Sequence, residues 1–121
     1  MKNLLLNLLA TAFLLIGTIS AISVKADESK DVTFGKGKSE TTISGKVTGN
    51  NIVDYLISAR AGQTLIVDFK GGKGANYFNV MPPNSTYEAV FVGSRDGDHY
   101  EGELTSGGNW VVRVYLMGAA K

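Results

Sequence analysis

The chain of 121 residues contains no cysteine, one histidine and two prolines, and these shortages exclude several classes of site. Without cysteine there is no disulfide, no thiol nucleophile and no lipid attachment at an N-terminal cysteine. A serine–histidine–acid set would have to use His99, and no serine stands in a strained glycine elbow. One histidine without cysteine also leaves only carboxylates to bind zinc. The sequence therefore predicts a protein that is not an enzyme, with no catalytic residue, cofactor or transition-metal site.

A large excess of charge of either sign is also missing. Twelve basic residues stand against eleven acidic ones, which gives a formal net charge of +1. Two of the basic residues, Lys2 and Lys25, lie in the N-terminal signal described next, so ten basic residues face eleven acidic ones in the remainder. Such a balance predicts no nucleic-acid partner and no attraction to an anionic membrane surface.

The first 26 residues have the pattern of a secretory signal peptide. Lys2 supplies a short positive start, Leu4 to Ile16 is mostly apolar, and Val24-Lys25-Ala26 resembles a signal-peptidase site. The alternative is an uncleaved anchor, because the 21 residues from Leu4 to Val24 could span a bilayer. Small residues late in the segment and the lack of a basic stop-transfer cluster favour cleavage. We expect a periplasmic or secreted protein that begins at Asp27 and does not stay in the membrane.

The remaining residues, 27–121, show no sustained helical stripe and several stretches of period-two alternation. Leu65, Val67 and Phe69, for example, alternate with more polar neighbours, which is typical of a strand with one buried face. Short apolar runs separated by many glycines favour one antiparallel β-sandwich domain over a helical fold. The predicted strands are 31–36, 40–48, 52–60, 63–70, 76–81, 87–92, 98–104 and 109–117.

Turn residues separate these strands. Gly49-Asn50-Asn51 predicts a first hairpin turn, and Asp96-Gly97 predicts a two-residue hairpin. The same region holds three carboxylates, Asp96, Asp98 and Glu101, which together with backbone carbonyls could bind calcium. Their spacing does not match a twelve-residue calcium loop, so an ordinary turn is the favoured interpretation and a weak calcium site the alternative.

The last strand carries the most informative side chains. Its alternation puts Trp110, Val112, Val114 and Leu116 on one face, which we predict to be the core. The opposite face carries Arg113, Tyr115 and Met117. Tyrosine, arginine and methionine are enriched at protein interfaces, so this face is either a recognition patch or a solvated edge.

Three segments in order resemble the bacterial periplasmic inhibitors of g-type lysozyme. They are 44–49 followed by Asp54-Tyr55, then 59–65, and finally Gly108-Asn109-Trp110-Val111-Val112-Arg113-Val114-Tyr115. The chain is more distantly similar to the pre-peptidase C-terminal domains of secreted proteases. Both families are β-sandwiches, so the resemblance implies the same fold as the strand pattern.

The resemblance also implies a function, the blocking of a g-type lysozyme cleft by loop residues. In the family an Arg-Asn-x-Ala-Arg segment contributes to this surface. Here the stretch from Met117 to Lys121 stands in its place, without the first arginine and with Lys121 near the second. Lysine does not replace arginine where a planar fork pairs with a carboxylate. The predicted contacts are therefore Arg113, Tyr115, Met117 and Lys121, with Asn50 and Asn51 as a second candidate contact.

Other functions remain open at this point. The runner-up is a non-catalytic binding module of the bacterial envelope that holds a glycan or another exported protein. A third possibility is a stand-alone envelope protein whose partner the sequence does not identify.

Overall fold

A computed structural model describes residues 3–12, 28–72, 75–84 and 88–117, and within 10–12 it describes the backbone alone. These residues form two β-sheets and one short helical turn. The elements are β1 (Asn3–Ala12), β2 (Glu28–Asp31), β3 (Glu40–Val47), β4 (Val53–Ala59), β5 (Thr64–Lys70), β6 (Asn76–Met81), β7 (Phe91–Val92), α1 (Gly93–Asp96), β8 (His99–Glu103) and β9 (Gly108–Leu116).

The two sheets differ in strand direction. The first has the order β3-β1-β5-β8 and the second the order β2-β4-β9-β6-β7. Within the described ranges four strand pairs are antiparallel, whereas β1 with β3, β1 with β5, and β2 with β4 are parallel. The all-β sandwich prediction is confirmed, but its strands are not antiparallel throughout.

The core lies between the sheets and combines side chains from both. Phe69 of the first sheet lies 5.2 Å from Phe78 of the second, measured between ring centroids. Phe91 and Tyr100 make a second contact between the sheets at 5.4 Å. Tyr55 reaches from β4 toward β3, where a Cβ on Gly45 would lie 2.8 Å from the tyrosine hydroxyl, so glycine permits this close packing. Burial, reinforced by the negative charge of Glu28, raises the pKa of Tyr55.

Three predicted elements differ from the structure. The first domain strand is Glu28–Asp31 rather than 31–36, although Val32 still donates its N–H to the Leu56 carbonyl. The strand predicted at 87–92 is described as Phe91–Val92, with 85–87 outside the described residues. The prediction of a hairpin at Asp96-Gly97 is wrong, because β7 and β8 lie in different sheets and are connected through α1.

The Gly49-Asn50-Asn51 turn is also not a hairpin. It connects β3 in the first sheet to β4 in the second, so it is an arch between layers. The Asn51 N–H donates to the Thr48 carbonyl at 3.0 Å and closes the turn. Glycine suits position 49 because its φ is +58°.

Part of the predicted signal peptide takes part in this fold. Leu4, Leu6 and Leu8 of β1 are buried, and β1 pairs with β3 on one side and β5 on the other. The predicted cleavage site lies outside the described residues, so cleavage after Ala26 stays a prediction. Such cleavage would remove β1 from the middle of its sheet. Across the described ranges, no helix has the length and apolar character needed to cross a membrane.

Candidate functional site

The outer face of β9 is the centre of the candidate site. β9 lies between β4 and β6 in the five-stranded sheet, so its side chains have neighbours on both sides. The predicted inward set is confirmed, since these four side chains are at most 2% exposed: Trp110, Val112, Val114 and Leu116. Period-two alternation then places Arg113 and Tyr115 on the opposite, outer face, where both are half-buried.

Arg113 forms a two-pronged ion pair with Asp54. Its Nε donates to Asp54 Oδ1 at 2.8 Å and its Nη2 to Oδ2 at 3.0 Å. The two residues face each other because Asp54 of β4 and Arg113 of β9 are register partners. The side chains are 33% exposed for Arg113 and 16% for Asp54, so this pair is better shielded from water than a typical surface pair. The positive charge of the Arg113 guanidinium is therefore balanced by the Asp54 carboxylate beside it.

Tyr115 is held by a second side chain on the neighbouring strand. Its hydroxyl donates to Asn79 Oδ1 at 2.8 Å. Tyr115 is also the register partner of Tyr77 on β6, and the centroids of the two rings lie 6.1 Å apart. Asn79 is in turn the register partner of Arg113, so Asp54, Arg113 and Asn79 form one row across three strands.

An open cavity of about 270 Å³ lies against this row. The cavity lies at the end of the five-stranded sheet where the 48–52 arch leads into β4. At this end Val53, the first residue of β4, pairs with Val114 near the end of β9. We call its lining the β9 surface, which consists of Asn50, Asn51, Ile52, Asn79, Arg113, Tyr115 and Leu116. The two separate contacts predicted from sequence, the arch asparagines and the outer face of the last strand, therefore belong to one continuous surface.

The remaining predicted contacts have different outcomes. Met117 follows β9 and is 42% exposed, but it does not line the cavity. Lys121 lies outside the described residues. Asp54 and Asn79 are not recognisable as site residues from the sequence, because only the pairing of β4 and β6 with β9 brings them to Arg113 and Tyr115.

Two of the three carboxylates considered for calcium, Asp96 and Glu101, have separate partners in the structure. Asp96 binds Arg95 through two hydrogen bonds and accepts the Val92 N–H, and these contacts lower its pKa. Glu101 lies 3.7 Å from His99 Nε2. Among the residues that the structure describes, no cluster of three or more side chains could hold a metal ion, so the calcium alternative gains no support.

His99 is part of a charged group on the outer face of the first sheet. Its Nδ1 lies 2.5 Å from Asp68 Oδ1 on the paired strand β5. This hydrogen bond is the main reason why the pKa of His99 is raised, and Glu101 adds to the effect. His99 is exposed and lies in the other sheet from the β9 surface.

Comparison with known proteins finds a similar solved structure. The structure is similar to the crystal structure of Aeromonas hydrophila PliG, a periplasmic lysozyme inhibitor of g-type lysozyme, with a TM-score of 0.66. The two sequences are 30% identical, and the match covers 79% of this chain and 86% of that chain. No protein-family model and no curated protein matches the chain.

Proposed function

This chain belongs to the family of periplasmic inhibitors of g-type lysozyme, and we propose that it inhibits such a lysozyme by covering the enzyme's substrate cleft with the β9 surface. The family consists of inhibitors, so the chain is not an enzyme, as its sequence predicts. We also propose that the mature protein is exported, begins at Asp27 and acts in the periplasm or outside the cell.

The observation that carries the proposal is the joining of two predicted contacts into one surface. The arch contributes exposed or half-buried amide side chains at Asn50 and Asn51. β9 contributes a guanidinium and a phenol, both held in place by neighbouring strands. Rigid groups on paired strands lose little conformational freedom on binding, which favours tight association.

The chemistry of this surface suits a glycosidase cleft. Such a cleft holds an acidic residue that protonates the glycosidic oxygen and polar groups that hydrogen-bond to sugar. Arg113 and the arch asparagines offer hydrogen-bond donors to these acceptors. Because Asp54 neutralises Arg113, we expect hydrogen bonding and shape to contribute more than long-range attraction. Met117 directly follows β9 in the sequence. Met117 and Lys121 both remain proposed contacts.

The test is the residual muralytic activity of g-, c- and i-type lysozymes mixed with the purified protein. We expect inhibition of the g-type enzyme. The Arg113→Ala, Tyr115→Ala double variant should inhibit at least tenfold less well, since truncation of an interface anchor typically costs about 2 kcal/mol or more. Ser58→Ala is a matched control, because Ser58 is an exposed residue near the other end of β4.

Two results would contradict the proposal in different ways. Full inhibition by the double variant would exclude this part of the β9 surface. Undiminished activity of all three lysozymes with the unsubstituted protein would exclude the inhibitor function and favour a binding module of the envelope.

A further inference from the structure

We propose that Asp54 and Asn79 are positioning residues of the β9 surface, Asp54 fixing the guanidinium of Arg113 and Asn79 fixing the hydroxyl of Tyr115 for contact with the lysozyme. This inference rests on the proposed function. It gives Asp54, and Asn79 of the β9 surface, a role that does not require either residue to touch the enzyme.

The role of Asp54 follows from the geometry of its fork with Arg113. Two parallel N–H···O contacts, at 2.8 and 3.0 Å, fix the plane of the guanidinium as well as its position. An arginine side chain otherwise has many rotamers, and ordering it on binding reduces affinity. Asp54 orders Arg113 before the partner arrives. At 16% exposure, its own carboxylate is largely covered.

Asn79 holds Tyr115 and is itself held. Its Oδ1 accepts the Tyr115 hydroxyl at 2.8 Å and the Gly93 N–H at 3.3 Å. The second contact requires α1 to lie against β6. Glycine is needed at position 93 because a Cβ there would collide with the Phe78 carbonyl oxygen. The connection between the sheets thus fixes the amide that orients Tyr115.

A double-mutant cycle on inhibition separates positioning from direct contact. Asp54→Ala, Arg113→Ala and the double variant are compared with the unsubstituted protein. If Asp54 acts through Arg113, Asp54→Ala weakens inhibition about tenfold and the double variant is no weaker than Arg113→Ala alone. If Asp54 touches the lysozyme independently, the two losses multiply to about a hundredfold.

The same logic applies to the second pair, with a rescue variant. Asn79→Leu removes the acceptor, Tyr115→Phe removes the hydroxyl, and their effects should not multiply. Asn79→Asp keeps an oxygen at Oδ1 and should retain most of the inhibition. All measurements are made well below each variant's thermal midpoint, with Ser58→Ala as the control for a change elsewhere on β4.

The outcomes distinguish this inference from the proposed function. Multiplying losses, unchanged inhibition by Asp54→Ala or Asn79→Leu, or stronger inhibition once Arg113 is released from Asp54 would each overturn the positioning roles while the inhibitor function stands. A lack of inhibition by the unsubstituted protein would overturn both.

Discussion

Replacing Trp110 by alanine tests the orientation of β9, on which the whole β9 surface depends. Trp110 is the single tryptophan of the chain and is 2% exposed on the inward face of β9. Its indole Nε1 donates to the Ser106 carbonyl at 2.9 Å, and its register partner across the sheet is Ile57 of β4. The substitution therefore removes a large core side chain and a hydrogen bond together.

The expected cost is large relative to the stability of a small domain. Deletion of a buried tryptophan side chain lowers the free energy of unfolding by about 3–5 kcal/mol. The lost hydrogen bond accounts for about 1 kcal/mol of this. Since about 1 kcal/mol shifts the thermal midpoint of a domain this size by about 4–8 °C, the midpoint should fall by at least ~12 °C.

Urea unfolding followed by far-ultraviolet circular dichroism is the suitable assay, because the substitution removes the tryptophan fluorescence. Trp110→Phe keeps an aromatic ring in the core but removes the Nε1 donor. Comparing it with Trp110→Ala separates the effect of the lost volume from that of the lost hydrogen bond. Asn109→Ala is the control, since Asn109 is the exposed neighbour of Trp110 on the same strand, and its effect should stay within about 0.5 kcal/mol. If Trp110→Ala lowered the free energy of unfolding by less than about 1 kcal/mol, Trp110 would lie on the outer face of β9, and the assignment of the site would be refuted. A circular dichroism spectrum dominated by helix would refute the fold.

Three further predictions concern His99 and the N-terminus. Because the pKa of His99 is raised in the folded state, its contact with Asp68 stabilises the protein fully below the unfolded pKa of about 6.5, and this contribution is lost as the pH rises through the folded pKa. His99→Gln should remove that part of the pH dependence of unfolding, and an imidazole pKa at or below about 6.5 by nuclear magnetic resonance would contradict it. Mass spectrometry of the exported protein should show a start at Asp27, whereas a Met1 start in the membrane fraction would contradict cleavage. In the full chain produced without export, Leu6→Ala should cost about 2–5 kcal/mol, because Leu6 of β1 is fully buried.

The structure also changes what is expected of Arg113→Ala. From the sequence, Arg113 is an outward-facing cation whose removal should leave the thermal midpoint nearly unchanged. In the structure its removal leaves the largely covered Asp54 carboxylate without this ion-pair partner, which costs about 1–3 kcal/mol. Inhibition by this variant therefore has to be compared at a temperature where it is fully folded.

Local sequence patterns are sufficient to predict the strands and the face that each one buries. Alternation with period two is a local property of the chain, so β4, β5, β6 and β9 appear within one residue or so of their predicted bounds. The same alternation determined that Trp110 faces inward and Arg113 outward. The resemblance to the inhibitor family was likewise carried by local segments in a fixed order.

The neighbours of each strand become visible only in the folded sheets. A glycine-containing turn looks alike whether it joins paired strands or crosses between sheets. The sequence therefore predicts hairpins at Gly49-Asn50-Asn51 and Asp96-Gly97, where the structure has connections between the sheets. Strand pairing depends on contacts between residues distant in sequence, such as Asp54 with Arg113, and no local pattern encodes it. For the same reason an apolar segment read as a signal peptide can also fill a sheet, as β1 does between β3 and β5.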